Sequence, residues 1–239
     1  MERILHELVQ QSPEWHCLLL ESDGASEAAA MLGLSKKTTR TELLRAKSTG
    51  IPKEFSDWVQ EHILDHGHEV EALARPIAEK LIGDELYPAV YSRGKLRAST
   101  DGLTMDDVTA FEHKQWNAAL AASVDRGELP EEHMPQCQQV MMVTGAQRLL
   151  FMVSDGTEEN RKSMYVRPDK EWQKRIVLGW AQFNEDLANY QHAEVLPPVI
   201  AAPVMALPAL SIQVQGSISL VDNLAIFGEK LTAFIERLP

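Results

Sequence analysis

The segment ASTDGLTMDDVTAFEHK, residues 98–114, contains three residues whose types and spacing could do chemistry: Asp101 beside a turn, and Glu112 and Lys114 on the apolar-rich run after it. Read as a strand, Val108 to Lys114 alternates its side chains between two faces, so Glu112 and Lys114 project to the same side. Asp101 ends the preceding strand and approaches Glu112 if the two strands pair. Close carboxylates repel each other unless a cation sits between them, and hard oxygen ligands of this kind suit Mg²⁺ or Mn²⁺. A neighbouring ammonium can then orient, or help deprotonate, an attacking water. Such a constellation suits hydrolysis of a phosphodiester. Alone, the spacing equally describes a cross-strand ion pair on an exposed face, so its company in the chain matters.

Three further pieces accompany it. Glu71, in Gly67-His68-Glu69-Val70-Glu71, falls on a long helix expected from about residue 54 to residue 81 and could add a third carboxylate, although a surface glutamate reads the same way. Gln136 and Gln138 belong to a run of glutamines on an otherwise apolar helix, and buried amides need partners. Ser26 opens a short helix closed by Gly33, where its hydroxyl and the free N–H groups could hold a phosphate or simply cap the helix. His62, His66 and His68 raise a zinc reading, but no glutamate follows His62 in the metalloprotease pattern and no fourth ligand is evident. His68 could still line a cleft. Trp58, Trp172 and Trp180 read as core.

These residues need a scaffold. The N-terminal stripe Ile4, Leu5, Leu8 and Val9 reads as helical, and Ser12-Pro13-Glu14 opens a second helix. Residues 86–90 and 96–100 read as a hairpin around Arg93-Gly94, with 108–114 as a third strand. A helix from about 131 to 144, strands at 148–153 and 163–166, and a long amphipathic helix from 169 to about 193 follow. This order predicts an α/β layer with a mixed sheet. Residues 196–208 carry four of the chain's twelve prolines, as a semi-rigid linker would. The expected organisation is a main domain at 1–193, a Pro/Ala-rich linker at 194–210 and a strand-helix extension at 211–239, too small to fold alone and a candidate start of a truncated further domain.

The 239 residues are 44% hydrophobic and 24% charged, enough to bury one large core. Cys17 and Cys137 stand far apart, which suits a reducing compartment, with the cytoplasm as the default. No run approaches the ~18 apolar residues of a membrane span. A net charge of −12 argues against general polyanion binding, yet Lys36, Lys37, Arg40, Arg45, Lys47 and Lys53 face the single acid Glu42 between residues 36 and 53. That local basic, hydroxyl-rich patch is either a solvated helix face or a nucleic-acid contact.

In this order the pieces resemble the lambda exonuclease group of phage recombination nucleases, also called the YqaJ-type family, within the PD-(D/E)xK nuclease superfamily. The resemblance runs from about Trp15 to Tyr190. It is carried by Trp15-His16 with Ala25-Ser26-Glu27, Gly67 with Glu71, Ser99-x-Asp101-Gly102-Leu103, Glu112-x-Lys114, and Gln136-x-Gln138 with Val143-Thr144. It implies a PD-(D/E)xK-like central mixed β-sheet flanked by helices, and a Mg²⁺-dependent, ATP-independent 5′→3′ exonuclease on linear double-stranded DNA, with Mn²⁺ able to substitute. By position, Glu71, Asp101 and Glu112 would hold metal, Lys114 would activate the water and Gln136 would support the site, with Gln138 and His68 in second rank. Ser26 would meet the 5′ phosphate, with Lys37, Arg40 and Arg45 guiding DNA. A ring-shaped homotrimer, a single-strand annealing partner, no membrane association, and a phage or prophage origin in a bacterial cytoplasm are also implied.

Two positions depart from the family pattern. Leu19 stands where an arginine often precedes the serine motif, which leaves Lys37, Arg40 or Arg45 to recognise the phosphate. Thr100 replaces the usual proline before Asp101. The rival readings are a structure-specific endonuclease or flap nuclease with the same metal site, and a non-catalytic DNA-binding subunit.

Overall fold

A computed structural model of the chain describes residues 2–8, 12–50 and 66–190, without the side chains of 66–68. The linker and extension expected at 194–239 lie outside the described residues, as do Trp58 and His62. The side chains of His66 and His68 also lie outside them, so the zinc reading and the second-rank role of His68 do too.

Among the described residues, the strands β1 (Arg3–His6), β2 (Asp23–Gly24), β3 (Tyr87–Arg93), β4 (Leu96–Leu103), β5 (Thr109–Gln115), β6 (Arg148–Ser154) and β7 (Arg161–Val166) form one mixed sheet in the order β1-β3-β4-β5-β6-β7. β2 pairs in parallel with the start of β4. The helices are α1 (Pro13–Glu21), α2 (Ala28–Met31), α3 (Arg40–Thr49), α4 (His66–Ile82), α5 (Ala118–Asp125), α6 (Met134–Thr144) and α7 (Lys170–Ala188).

The parallel pair β5–β6 is the centre of the architecture. Parallel strands need a crossover, here α5 and α6, and a strand covered on both faces reads as a continuous apolar run. β6 does so as Leu149-Leu150-Phe151-Met152-Val153. Leu149, Phe151 and Val153 pack with Val140 and Met141 of α6, whereas Leu150, Met152 and Phe111 of β5 pack with Ala74, Ile77 and Ala78 of α4. Helices therefore cover both faces. Each of these large side chains contributes about 1.5–3 kcal/mol by leaving water. A third cluster joins Met31, Leu44, Ile176, Trp180 and Phe183 of α2, α3 and α7.

Several expectations change. Residues 3–6 form an edge strand antiparallel to β3 rather than a helix. Arg3 there donates to the carbonyl of Thr144 at 2.6 Å and pairs with Asp107 at 2.7 Å, long-range contacts that a local apolar stripe cannot reveal. α5 was not anticipated from the sequence. Ser26 is not an N-cap: it lies inside a 3₁₀ turn, Ala25–Glu27, capped by Gly24, whose N–H donates to Glu27 at 2.9 Å. Trp180 is core, but Trp172 is half-buried with the Arg175 guanidinium 4.6 Å above its ring.

Candidate active site

The site forms where β4 and β5 part. Their backbone ladder holds only the pairs Gly102↔Phe111 and Leu103↔Ala110. Continuing that register would set Asp101 opposite Glu112, but the Asp101 carboxylate instead accepts the backbone N–H of His113 at 2.7 Å. On its other side, β4 pairs Leu103 with Tyr87 and Thr100 with Ala89, so it carries one residue more than β3 across this stretch. Such a bulge bends the strand and re-aims its side chains. Gly102 is required here, because a Cβ would lie 2.8 Å from that of Leu86.

Glu112 and Lys114 do share one face of β5. Glu112 is 2% exposed, and its Oε1 lies 2.7 Å from Lys114 Nζ. Gln136, projecting from α6, donates to the same Glu112 oxygen at 2.5 Å and accepts from Lys114 at 3.0 Å. The second Glu112 oxygen, Oε2, is buried without a hydrogen-bond partner. An orphaned buried carboxylate oxygen is costly unless something compensates it.

The electrostatics follow from crowding. Burial, and then the charges of Glu112 and Glu71, push Asp101 well above the usual carboxylate range, which the His113 N–H and Lys114 only partly offset. Burial alone would lower Lys114, but the charge and hydrogen bond of Glu112, with Asp101 adding, hold it above the ordinary lysine value. Lys114 is therefore an ammonium at neutral pH. Glu71, on α4, pairs with Arg75 at 2.9 Å, and Arg75 Nε donates to the Asp101 carbonyl at 2.9 Å.

This donor set fits a hard divalent cation: Asp101 and Glu112, with Glu71 nearby, supply oxygen donors, and one of those oxygens is buried and unpaired. As they stand, no three His, Cys, Asp or Glu side chains among the described residues are grouped so as to hold a metal ion.

Glu71, Asp101, Glu112, Lys114 and Gln136 open on a cleft of about 910 Å³, lined also by Ser26, Lys37, Ser99 and Arg97. Arg97, Ser99 and Asp101 are alternate residues of β4. Arg97 is 4% exposed. Its Nε donates to Ser22 Oγ at 2.9 Å, and its charge lies 3.9 Å from Glu27. Glu27 in turn is held more closely by Lys47, at 2.9 Å. Burial lowers the Arg97 guanidinium, and Glu27 offsets this only in part.

The structure thus brings Glu71, Asp101, Glu112, Lys114, Gln136, Ser26 and Lys37 to one cleft and leaves three expected residues out. Arg40 is spent on an ion pair with Asp186 and on the face of Phe183. Arg45 is exposed on α3 and does not line the cleft. Gln138 is fully buried away from it, donating to the Arg167 carbonyl and accepting from the Asp169 N–H, both at 2.8 Å. The run of glutamines is split by helical geometry, since consecutive residues of a helix point in different directions.

Arg75, Arg97, His133 and Trp116 were missed. Arg75 stands four residues after Glu71, a helical ion-pair spacing that was legible. Arg97 and Asp101 are linked by strand alternation. His133 held no signal; burial, and then Lys114, lower it to about 4, so it is neutral at pH 7.

No curated protein matches the chain significantly in sequence. The fold is similar to that of an alkaline exonuclease from Laribacter hongkongensis, with a TM-score of 0.61 and 20% identity over 74% of this chain and 93% of that one. The same enzyme in complex with dAMP matches equally. A phage-related exonuclease from Haemophilus somnus 129PT gives a TM-score of 0.54 at 12% identity, over 70% and 94% of the two chains. The mixed sheet flanked by helices is the PD-(D/E)xK-like arrangement of these exonucleases. Residues 14–147, more than half of the chain, match the sequence profile of the YqaJ-like viral recombinase domain, and the chain belongs to that family.

Proposed function

We propose that the protein is a metal-dependent 5′→3′ exonuclease acting on the ends of linear double-stranded DNA. The family and the exonuclease fold support a nuclease role. The observation that carries the finer reading is the convergence of Asp101, Glu112, Lys114 and Gln136 in one cleft, with an unpaired buried oxygen on Glu112. Asp101 and Glu112, with Glu71, would hold Mg²⁺ or Mn²⁺. Bound there, the cation supplies positive charge against the negative charge that develops on the scissile phosphate.

The chain's own groups do the rest. Lys114, as an ammonium, donates to the attacking water or to a phosphate oxygen and orients it rather than taking its proton. Gln136 fixes both Lys114 and Glu112 in place. Arg75 holds Glu71 and the Asp101 backbone together. For the 5′ phosphate, Arg97 beside Ser26 and Ser99 supplies the cation that Leu19 lacks, and Lys37 adds charge at the cleft. The ring-shaped homotrimer and the single-strand annealing partner belong to the same reading, as does action in the cytoplasm of a bacterial host. The structure of the Laribacter exonuclease with dAMP, a mononucleotide, agrees with a cleft that holds a released nucleotide.

The test is digestion of 5′-phosphorylated linear duplex with Mg²⁺ and no ATP, beside covalently closed circles and the Asp101→Ala variant. Linear DNA should disappear and circles persist. Cutting of circles would transfer the site to an endonuclease, and inertness with either metal would favour a binding subunit. Light scattering of the active protein tests the trimer.

A further inference from the structure

The lining of the cleft is mixed in character. Besides its carboxylates and cations it includes the apolar side chains of Trp116, Leu120 and Pro130. Trp116 is 40% exposed, and none of the ring contacts among the described residues involves its indole. It is not on a loose loop. Gln115 before it ends β5, and Asn117 after it caps α5 by accepting the Leu120 N–H at 3.0 Å. A strand and a helix thus hold the backbone on both sides. Only Gln115 separates it from Lys114, a reach of at most ~7 Å along the backbone.

A ligand that matches both kinds of lining carries a negative group and a flat apolar ring, as a nucleotide does. Indole stacks on the π-face of any base, so such a platform suits an enzyme indifferent to sequence. We propose that Trp116 is the stacking platform for the terminal nucleobase of the strand whose phosphodiester lies at Glu112 and Lys114. This rests on the nuclease reading and adds to it a substrate-binding residue outside the metal and phosphate groups.

The test uses the full chain and a 5′-phosphorylated duplex with 2-aminopurine as its terminal base, with Ca²⁺ replacing Mg²⁺ so that the strand stays intact. Wild-type protein should quench the fluorescence by stacking. Trp116→Phe should retain most of the quench. Trp116→Ala should lose it and bind the end about 5- to 100-fold more weakly, with kcat under Mg²⁺ less affected than KM. Wild-type quenching and affinity in Trp116→Ala would overturn the proposal. So would a changed oligomeric state of that variant with its quench intact, which would assign the indole to a contact between copies. If wild-type protein digests DNA and Trp116→Ala behaves like it, only this inference falls; if wild-type protein neither binds nor digests DNA, the nuclease reading falls and takes this one with it.

Discussion

The carboxylate of Asp101 accepts the backbone N–H of His113, the residue between Glu112 and Lys114, at 2.7 Å. A side chain of one strand thus stands in for the ladder bond that would continue the β4–β5 pairing. The gap that opens is the cleft, so the same contact that ends the β4–β5 ladder fixes Asp101 beside the two groups it is expected to work with.

The buried ion pair of Glu112 and Lys114 gives the first prediction. Lys114→Met should lower the nuclease rate by about 10²–10⁴-fold, and should also destabilise the fold by about 3 kcal/mol, because Glu112 is left charged and unpaired in the interior. Glu112→Gln combined with Lys114→Met should recover most of that stability in urea titrations while remaining inactive. A double variant no more stable than Lys114→Met would show that the pair is not electrostatically coupled.

Asp101 gives the second. Its pKa is raised in the folded protein, by burial first and then by Glu112 and Glu71. A raised carboxyl pKa means that ionisation costs more folded than unfolded, so stability falls as pH rises through the raised value. In chelator, Asp101→Asn should therefore melt above wild type at pH 8, and the gap should close toward pH 4. Added Mg²⁺ should raise the wild-type Tm and leave that of the variant little changed. Equal melting temperatures at pH 8 would contradict the carboxylate crowding.

The third concerns Arg97. Arg97→Gln should reduce the preference for 5′-phosphorylated over 5′-hydroxyl ends by about 10- to 100-fold, the scale of a charge-assisted hydrogen bond. Arg97→Lys should retain part of it. Rates on both kinds of end, measured side by side, decide the matter, and an unchanged ratio would return phosphate recognition to Lys37 and Ser26.

The two inner glutamines give the fourth. Gln139 donates to the carbonyls of Asp23 and Arg97 at 2.6 and 3.1 Å and accepts from Trp180 Nε1 at 2.7 Å. Gln139→Leu strands three buried groups, so a loss of about 3 kcal/mol or more is expected in chemical denaturation. Gln138→Leu should also destabilise, yet leave the rate per folded molecule near wild type. A specific loss of turnover in Gln138→Leu would restore that residue to the active site.

The parts of the fold that sequence reading recovered are those written locally. Strand alternation placed Glu112 and Lys114 on one face, and residues 148–153 read as a strand, as β6 is. The Asp101 region, Glu71 and Gln136 were legible only as an ordered set, because each alone has a plain structural reading. What escaped depends on contacts far apart in the chain. Residues 3–6 carry a short apolar pattern that either period can claim, and their strand state comes from pairing with β3. Arg40 and Lys47 were visible as positive charges, but not as charges already spent on Asp186 and Glu27. The place of Arg97 in the cleft was hidden because the side chains beside it, Ser22 and Glu27, come from far earlier in the chain.

The chain's two thiols lie in opposite settings. Cys137 on α6 is fully buried behind Glu112, and burial followed by that negative charge pushes its thiol far above the ordinary range, while Cys17 on α1 is exposed. Under native conditions a maleimide should therefore couple once, at position 17, without touching the interior. The protein carries its own single attachment point, through which a dye or a surface tether could be added for single-molecule tests of the proposed activity.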